Sequence, residues 1–127
     1  HLLIGFRSKY VLNSFGHNLP VLKKKSGTTN PAHLHPADLA ALGIEDDDEV
    51  QIASAHGQIS AIVKADAKIK PGVIAMHHCW GLSPDKQGSV RENGANTNLL
   101  VSSESDTQRY TGMTRSSSIP VRIKKSA

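Results

Sequence analysis

Apolar residues in this chain come only in short runs, and most of those runs alternate with polar side chains. Val50 and Ile52 alternate with Glu49 and Gln51, and Ile59, Ala61 and Val63 alternate with Ser60 and Lys64. That is the period of a strand with one buried face. Ile62 breaks the second alternation and predicts cover on both faces of that strand. Residues 2–6, 73–76, 99–101 and 119–123 read as further short strands, the last with Val121 and Ile123 inward. Residues 55–58, Ala-His-Gly-Gln, predict the hairpin turn between the two alternating runs, and Lys70-Pro71-Gly72 predicts a tight turn. A chain of short strands cannot form a helical bundle or a doubly wound sheet; it points to a small β-barrel or sandwich.

One helix is clearly signalled. Pro36 suits a first helical position, Leu39 and Leu42 share a face, and Gly43 supplies a left-handed stop. Residues 23–27 read as a solvated excursion. The rest is polar: 7–18 with its continuation, 77–98 and 102–118 are long loops rich in Asn, Ser, Thr, Gly, His and Arg. Loops longer than about 12 residues are uncommon in a small domain unless they are functional or disordered. Their donor-rich composition suits an anionic, hydrogen-bonding ligand.

Composition narrows the alternatives. The 127 residues carry 15 Lys+Arg against 11 Asp+Glu, with 38% hydrophobic and 20% charged residues. This fits one ordinary domain, residues 1–127, and excludes a disordered or collagen-like chain. No apolar run approaches the roughly 20 residues of a membrane helix. The single Cys79 can form no internal disulfide and no Cys-rich zinc or iron–sulfur site. The chain opens on His1 and runs at once into Leu2-Leu3-Ile4, an apolar start seldom found at a free terminus. Residues 1–127 are therefore expected to be an excised piece of a longer protein.

Several familiar chemistries fit the residues poorly. His33 with His35, and His77-His78-Cys79, carry ligand types suited to zinc but no carboxylate at a useful spacing, so loop histidines bonded to backbone or ligand explain them better. His78 is badly placed to activate Cys79, because neighbours in extended chain point to opposite sides; Cys79 is expected to be a small buried apolar residue. Lys23 to Lys25 and Lys124-Lys125 lack the interleaved aromatics of a nucleic-acid surface. No phosphate-binding glycine loop of the common types occurs.

The order of the remaining motifs resembles a known family. Asn30-Pro31-Ala32-His33-Leu34-His35-Pro36-Ala37-Asp38-Leu39 with Gly43-Ile44, then Val50, Ser54-Ala55-His56-Gly57 and Pro71-Gly72-Val73, are similar to the molybdopterin-dinucleotide-binding domain. That is the C-terminal domain of the dimethyl sulfoxide reductase family of molybdenum oxidoreductases. Arg7, Asn13-Ser14-Phe15-Gly16-His17-Asn18, His78-Cys79-Trp80-Gly81, Gly94-Ala95-Asn96-Thr97-Asn98 and Ile119-Pro120-Val121-Arg122-Ile123 extend the likeness along nearly the whole chain.

The resemblance implies a mainly β fold, a six-stranded double-psi β-barrel of the aspartate-decarboxylase-like kind with one or two short helices. It implies a C-terminal fragment of a larger, prokaryotic-type enzyme that binds bis-molybdopterin guanine dinucleotide. Arg7, Asn13, Ser14, His17, Asn18, His78, Trp80, Asn96, Asn98 and Arg115 are the expected cofactor contacts. Arg115-Ser116-Ser117-Ser118 departs from the aromatic or basic residue that many relatives have there. No catalytic residue, metal ligand or iron–sulfur cluster is expected in this chain, and alone it should catalyse nothing. The expected partners are the other domains of the parent, without nucleic acid or a membrane span, and the fragment is expected to be monomeric. The parent is expected in the cytoplasm, unless an export signal lies upstream. The rival readings are a double-psi barrel used as a protein-interaction module, which would need an exposed apolar groove, and a nucleic-acid binder.

Overall fold

The polypeptide is seen in a computed structural model that describes residues 1–83, 86 and 88–126. The alternating runs form strands as the pattern requires: β1 Leu2–Phe6, β2 Ala32–Leu34, β3 Glu49–Ala53, β4 Gln58–Ala65, β5 Val73–His77, β6 Ile119–Pro120 and β7 Arg122–Lys125. They make one mixed sheet in the order β6-β1-β5-β2-β4-β3-β7. β1 runs parallel to β5 in the register Leu2↔Val73 to Phe6↔His77, and β2 runs parallel to β4. β3 and β4 form an antiparallel hairpin.

The two edges of this sheet are two halves of one segment. Residues 119–120 pair with β1, and residues 122–125 pair with β3. Between them Val121 donates its N–H to the His1 carbonyl at 2.9 Å. The sheet is thereby curled into a barrel-like form, with neither edge strand left unpaired for want of a neighbour.

Inside the curl lie Leu3, Leu34, Val50, Ile52, Val63, Ile74, Met76 and Leu100, all essentially without solvent contact. The core is aliphatic, as five aromatic residues in the whole sequence require. Ile59, Ala61, Ile62 and Val63 are all buried, so β4 is covered on both faces.

α2, Pro36–Leu42, has the predicted ends. His35 caps it through Nδ1, which accepts from the Ala37 N–H at 3.1 Å, and Gly43 takes the left-handed conformation at φ 64°. Leu39 is buried, but Leu42 is 37% exposed; Ile44, one residue past the stop, completes the inward face instead. Asp38 ties this helix to the turn before β5 by accepting from Gly72 N–H at 2.7 Å.

Four expectations are corrected. The strands number seven where the resemblance implies six: β2 has too few residues to show a period, and the strand expected over 119–123 is interrupted at Val121. Residues 99–101 are not a strand, because residues 97–100 form a 3₁₀ turn (Thr97–Leu100) capped by Asn96. The lysines at 23–25 lie on a helix, α1 Pro20–Ser26, which has Pro at its start and no buried side chain to give an apolar period. A short helix, α3 Val90–Asn93, lies within the polar stretch 77–98, of which Pro84, Asp85 and Gln87 fall outside the described residues.

No helix among the described residues is long and apolar enough to cross a membrane. Ile74 sits at the centre of the sheet, fully buried on β5 between β1 and β2. Ile74→Ala should lower unfolding free energy by about 2–5 kcal/mol, read from the urea midpoint at unchanged slope.

Candidate functional site

The parallel β1 and β5 end together, at Phe6 and His77, and release Arg7 and His78 side by side. Arg7 then meets Asn13, which returns on a tight turn closed by mutual backbone hydrogen bonds between Leu12 and Phe15. Asn13 takes φ 54°, a conformation that its short polar side chain tolerates. Arg7 Nη1 donates to Asn13 Oδ1 at 3.1 Å, and His78 Nε2 lies 3.2 Å from the same oxygen. The other ring nitrogen of His78 faces the Phe6 carbonyl, so a neutral ring can donate to only one of its two acceptors.

Beyond this cluster the loop folds back so that His17 stacks on Trp80, with centroids 4.0 Å apart. Trp80 is buried, and His17 Nε2 is buried without a hydrogen-bond partner. Burial pushes the His17 pKa below the ordinary histidine value. Burial does the same to His77, with the neighbouring His33 and His78 adding to the effect. His77 packs edge-on against Phe6 at 3.9 Å, and His33 also meets that ring edge-on at 5.6 Å.

The segment 94–98 closes against the chain leaving β5. Gly81 passes so near it that a Cβ there would stand 2.3 Å from the Asn96 nitrogen, and its φ of 83° also excludes most side chains. Asn96 donates to the Leu82 carbonyl and accepts from the Asn98 N–H, so both ends of its amide are engaged by the protein. Asn98 follows on the outside of the turn, exposed.

Asn30 holds these segments in place, and sequence reasoning gave it no site role. It is the one buried polar side chain among the described residues. Its amide donates to His77 O at 2.8 Å and to Ala95 O at 2.9 Å, and accepts from Ala95 N–H at 2.7 Å. Its place at the head of the motif Asn30-Pro31-Ala32-His33 was its only signal in the sequence.

A small cavity of about 50 Å³ joins the two sides, lined by Gly5, His78, Thr97, Asn98 and Ser116 among others. Gly5 matters because nothing in its own surroundings requires glycine: its φ is not left-handed, and a Cβ there would meet no atom within 4 Å. The space above it is open.

The structure therefore brings together Arg7, Asn13 and His78, sets His17 on Trp80, and places Asn98 beside His78. Ser14 sits exposed at the turn tip and Asn18 exposed in the loop. Arg115 lies elsewhere, lining a cavity of about 210 Å³ with Ser54, His56 and Asp106. There His56 Nε2 and Asp106 Oδ2 approach to 2.8 Å and tie the 102–118 loop to the β3–β4 hairpin.

Cys79 requires a correction. It is exposed and takes φ 66°, turning outward where the chain bends between His78 and Trp80. Among the described residues no group of three or more His, Cys, Asp or Glu side chains could hold a metal ion; His33 meets a carboxylate only in Asp66, at 3.4 Å.

Known proteins are similar to this chain in sequence or in fold. The family described as the molydopterin dinucleotide binding domain matches residues 2–119. Trimethylamine-N-oxide reductases of Salmonella typhi and Salmonella typhimurium are 33% identical over 64 residues, half of this chain and 8% of those proteins. The chain thus covers a small part of the length of these relatives. Acetylene hydratase from Pelobacter acetylenicus shares the fold, with a TM-score of 0.78 over 98% of this chain and 18% of that one, at 19% identity.

Two outcomes follow from the site. Asn30→Ala should destabilise the protein by roughly 2–4 kcal/mol, because it leaves buried backbone groups at 77 and 95 without partners. Stability should also fall on acidification from about pH 6.5, the ordinary histidine value. The folded state holds His17 and His77 neutral, so the unfolded chain binds more protons below that pH, and the loss ends at their lower folded pKa values. Urea midpoints between pH 7 and 5 check this, and His77→Gln should flatten the slope.

Proposed function

Because the chain belongs to the molydopterin dinucleotide binding domain family, we propose that it holds bis-molybdopterin guanine dinucleotide as the C-terminal part, residues 1–127, of a molybdenum-dependent oxidoreductase. The observation that carries the reading is the open space over Gly5, ringed by His78, Thr97, Asn98 and Ser116. A strand glycine without conformational need or a close neighbour leaves room for something from outside the chain.

The donor set fits such a group. Arg7 offers a guanidinium fork for a phosphate, and it is held in place by Asn13. The partnerless His17 Nε2 gains a partner when a ligand atom reaches it, and Trp80 beneath fixes the ring. Asn98 presents a free amide, able to donate and accept at the edge of a pterin or guanine. Asn96, engaged at both ends, acts by placing Asn98 and not by contact. Ser14 and Asn18, exposed on the same loop as Arg7 and His17, would contact the cofactor from there, and Arg115 only from its separate cavity.

When bound, the cofactor supplies the redox chemistry; this chain's part is to bind and orient it. The metal ligand and any iron–sulfur cluster belong to other parts of the parent, and residues 1–127 alone turn over no substrate. The parallel pairing of β1 with β5 and of β2 with β4 supports double-psi connectivity as part of the same reading.

The test is made on the full-length parent from a host that makes the cofactor, by assaying molybdenum and the guanine nucleotide released by acid. Two nucleotides per metal are expected; a well-folded parent with neither would overturn the proposal. Gly5→Val should empty the site selectively. Its unfolding free energy should hold or rise by about 0.5–1 kcal/mol, while nucleotide content falls. Unchanged nucleotide content would count against the space over Gly5.

A further inference from the structure

Residues 7–26 leave the barrel between β1 and β2 and present an outer face that none of the described residues covers. The excursion is firmly attached on its inner side. Val11 is buried, His17 stacks on Trp80, and Leu22 packs over Gly16. Lys9 and Lys25 approach the Tyr10 ring at 5.8 and 5.6 Å, joining the loop to the helix.

Leu12, Phe15, Leu19 and Val21, all within residues 12–21 of this excursion, are between 56% and 74% exposed. α1 buries no residue at all. A helix of this length is not stable by propensity; it forms where a packed face supports it. Four exposed apolar side chains on an excursion already ordered from below mark a surface awaiting a counterpart.

Charge states what the counterpart is. Arg7, Lys9, Lys23, Lys24 and Lys25 all lie on this excursion, and every one of the 11 acidic residues of the chain lies from Asp38 onward. The ion pairs among the described residues are made by His1, His33, His56, Lys64, Arg91 and Lys125, and by none of these cations. The complement is an apolar surface rimmed by carboxylates. The relatives supply its source: the matched stretch is 8% of the trimethylamine-N-oxide reductases, so most of such a polypeptide lies outside this chain.

We propose that the face formed by Leu12, Phe15, Leu19 and Val21, with Lys23 to Lys25 at its rim, docks onto an acidic, apolar-centred surface in the remainder of the parent polypeptide. The inference rests on the reading of residues 1–127 as part of a larger enzyme, and it makes the excursion a two-sided element. Its inner side meets the cofactor site at Arg7, Asn13 and His17, while its outer side is held by the rest of the enzyme.

The experiment is zero-length carbodiimide cross-linking of the full-length parent, with linked peptides identified by mass spectrometry. Links from Lys23, Lys24 or Lys25 to Asp or Glu outside the 127 residues are expected. The charge-reversed variant K23E/K24E/K25E should lose them and be cleaved within residues 7–26 roughly tenfold faster by protease, since cleavage follows the population of the undocked form. These lysines are exposed, so the variant leaves the core intact. Links confined to the 127 residues, links only between copies of the parent, or lysine-dependent adhesion to vesicles of anionic phospholipid would each overturn the proposal. Molybdenum and nucleotide are assayed on the same sample. Links without cofactor sink the cofactor reading and leave the docking face standing; cofactor without links does the reverse.

Discussion

Residues 119–125 pair with β1 at one end and with β3 at the other, and the rest of the structure depends on that double duty. An open sheet of these short strands would have two bare edges and a core exposed along both. Closing it with a single segment makes the position of β1 answer to β3 across the whole curl. It also sets the carboxyl ends of β1 and β5 side by side, which is where the candidate site begins.

The site is built from segments that have little structure of their own. A buried amide, Asn30, stands in for regular pairing: it bonds to the end of β5 and to the backbone at Ala95, so the two arms that flank Gly5 are tied together. Gly81 permits the same arms to touch. Beside them, His17 Nε2 is buried without a hydrogen-bond partner. A protein interior seldom tolerates this without a partner, and the family's dinucleotide is a partner of suitable chemistry.

Much of the fold was legible locally. Alternation at 50–52 and 59–63 marked a hairpin, Pro36 and Gly43 marked a helix, and Ile62 marked a strand covered on both faces. Three residues of β2 are too few to carry a period, and α1 turns no side chain inward, so these left no trace in the hydrophobic pattern, while the strand read over 119–123 is divided at Val121 into β6 and β7. Leu99 to Val101 looked like a strand because apolar runs this short do not distinguish a strand from one tight helical turn; Asn96, capping the turn, decided it.

The candidate site divides in the same way. Composition marked the long loops as a donor-rich set for an anionic ligand, and the family resemblance singled out Arg7, Asn13, His17, His78, Trp80 and Asn98 within them. Only the tertiary structure decided which of them meet. Asn13 and His78 stand 65 positions apart, and the closed sheet sets them 3.2 Å from each other. It also put Arg115 in a different cavity, turned Cys79 outward, and left the face of residues 12–21 bare. Periodicity and capping are properties of neighbours in sequence, so the chain alone determines them. Which distant segments come together depends on strand register and on the closure at Val121, and no local pattern contains either.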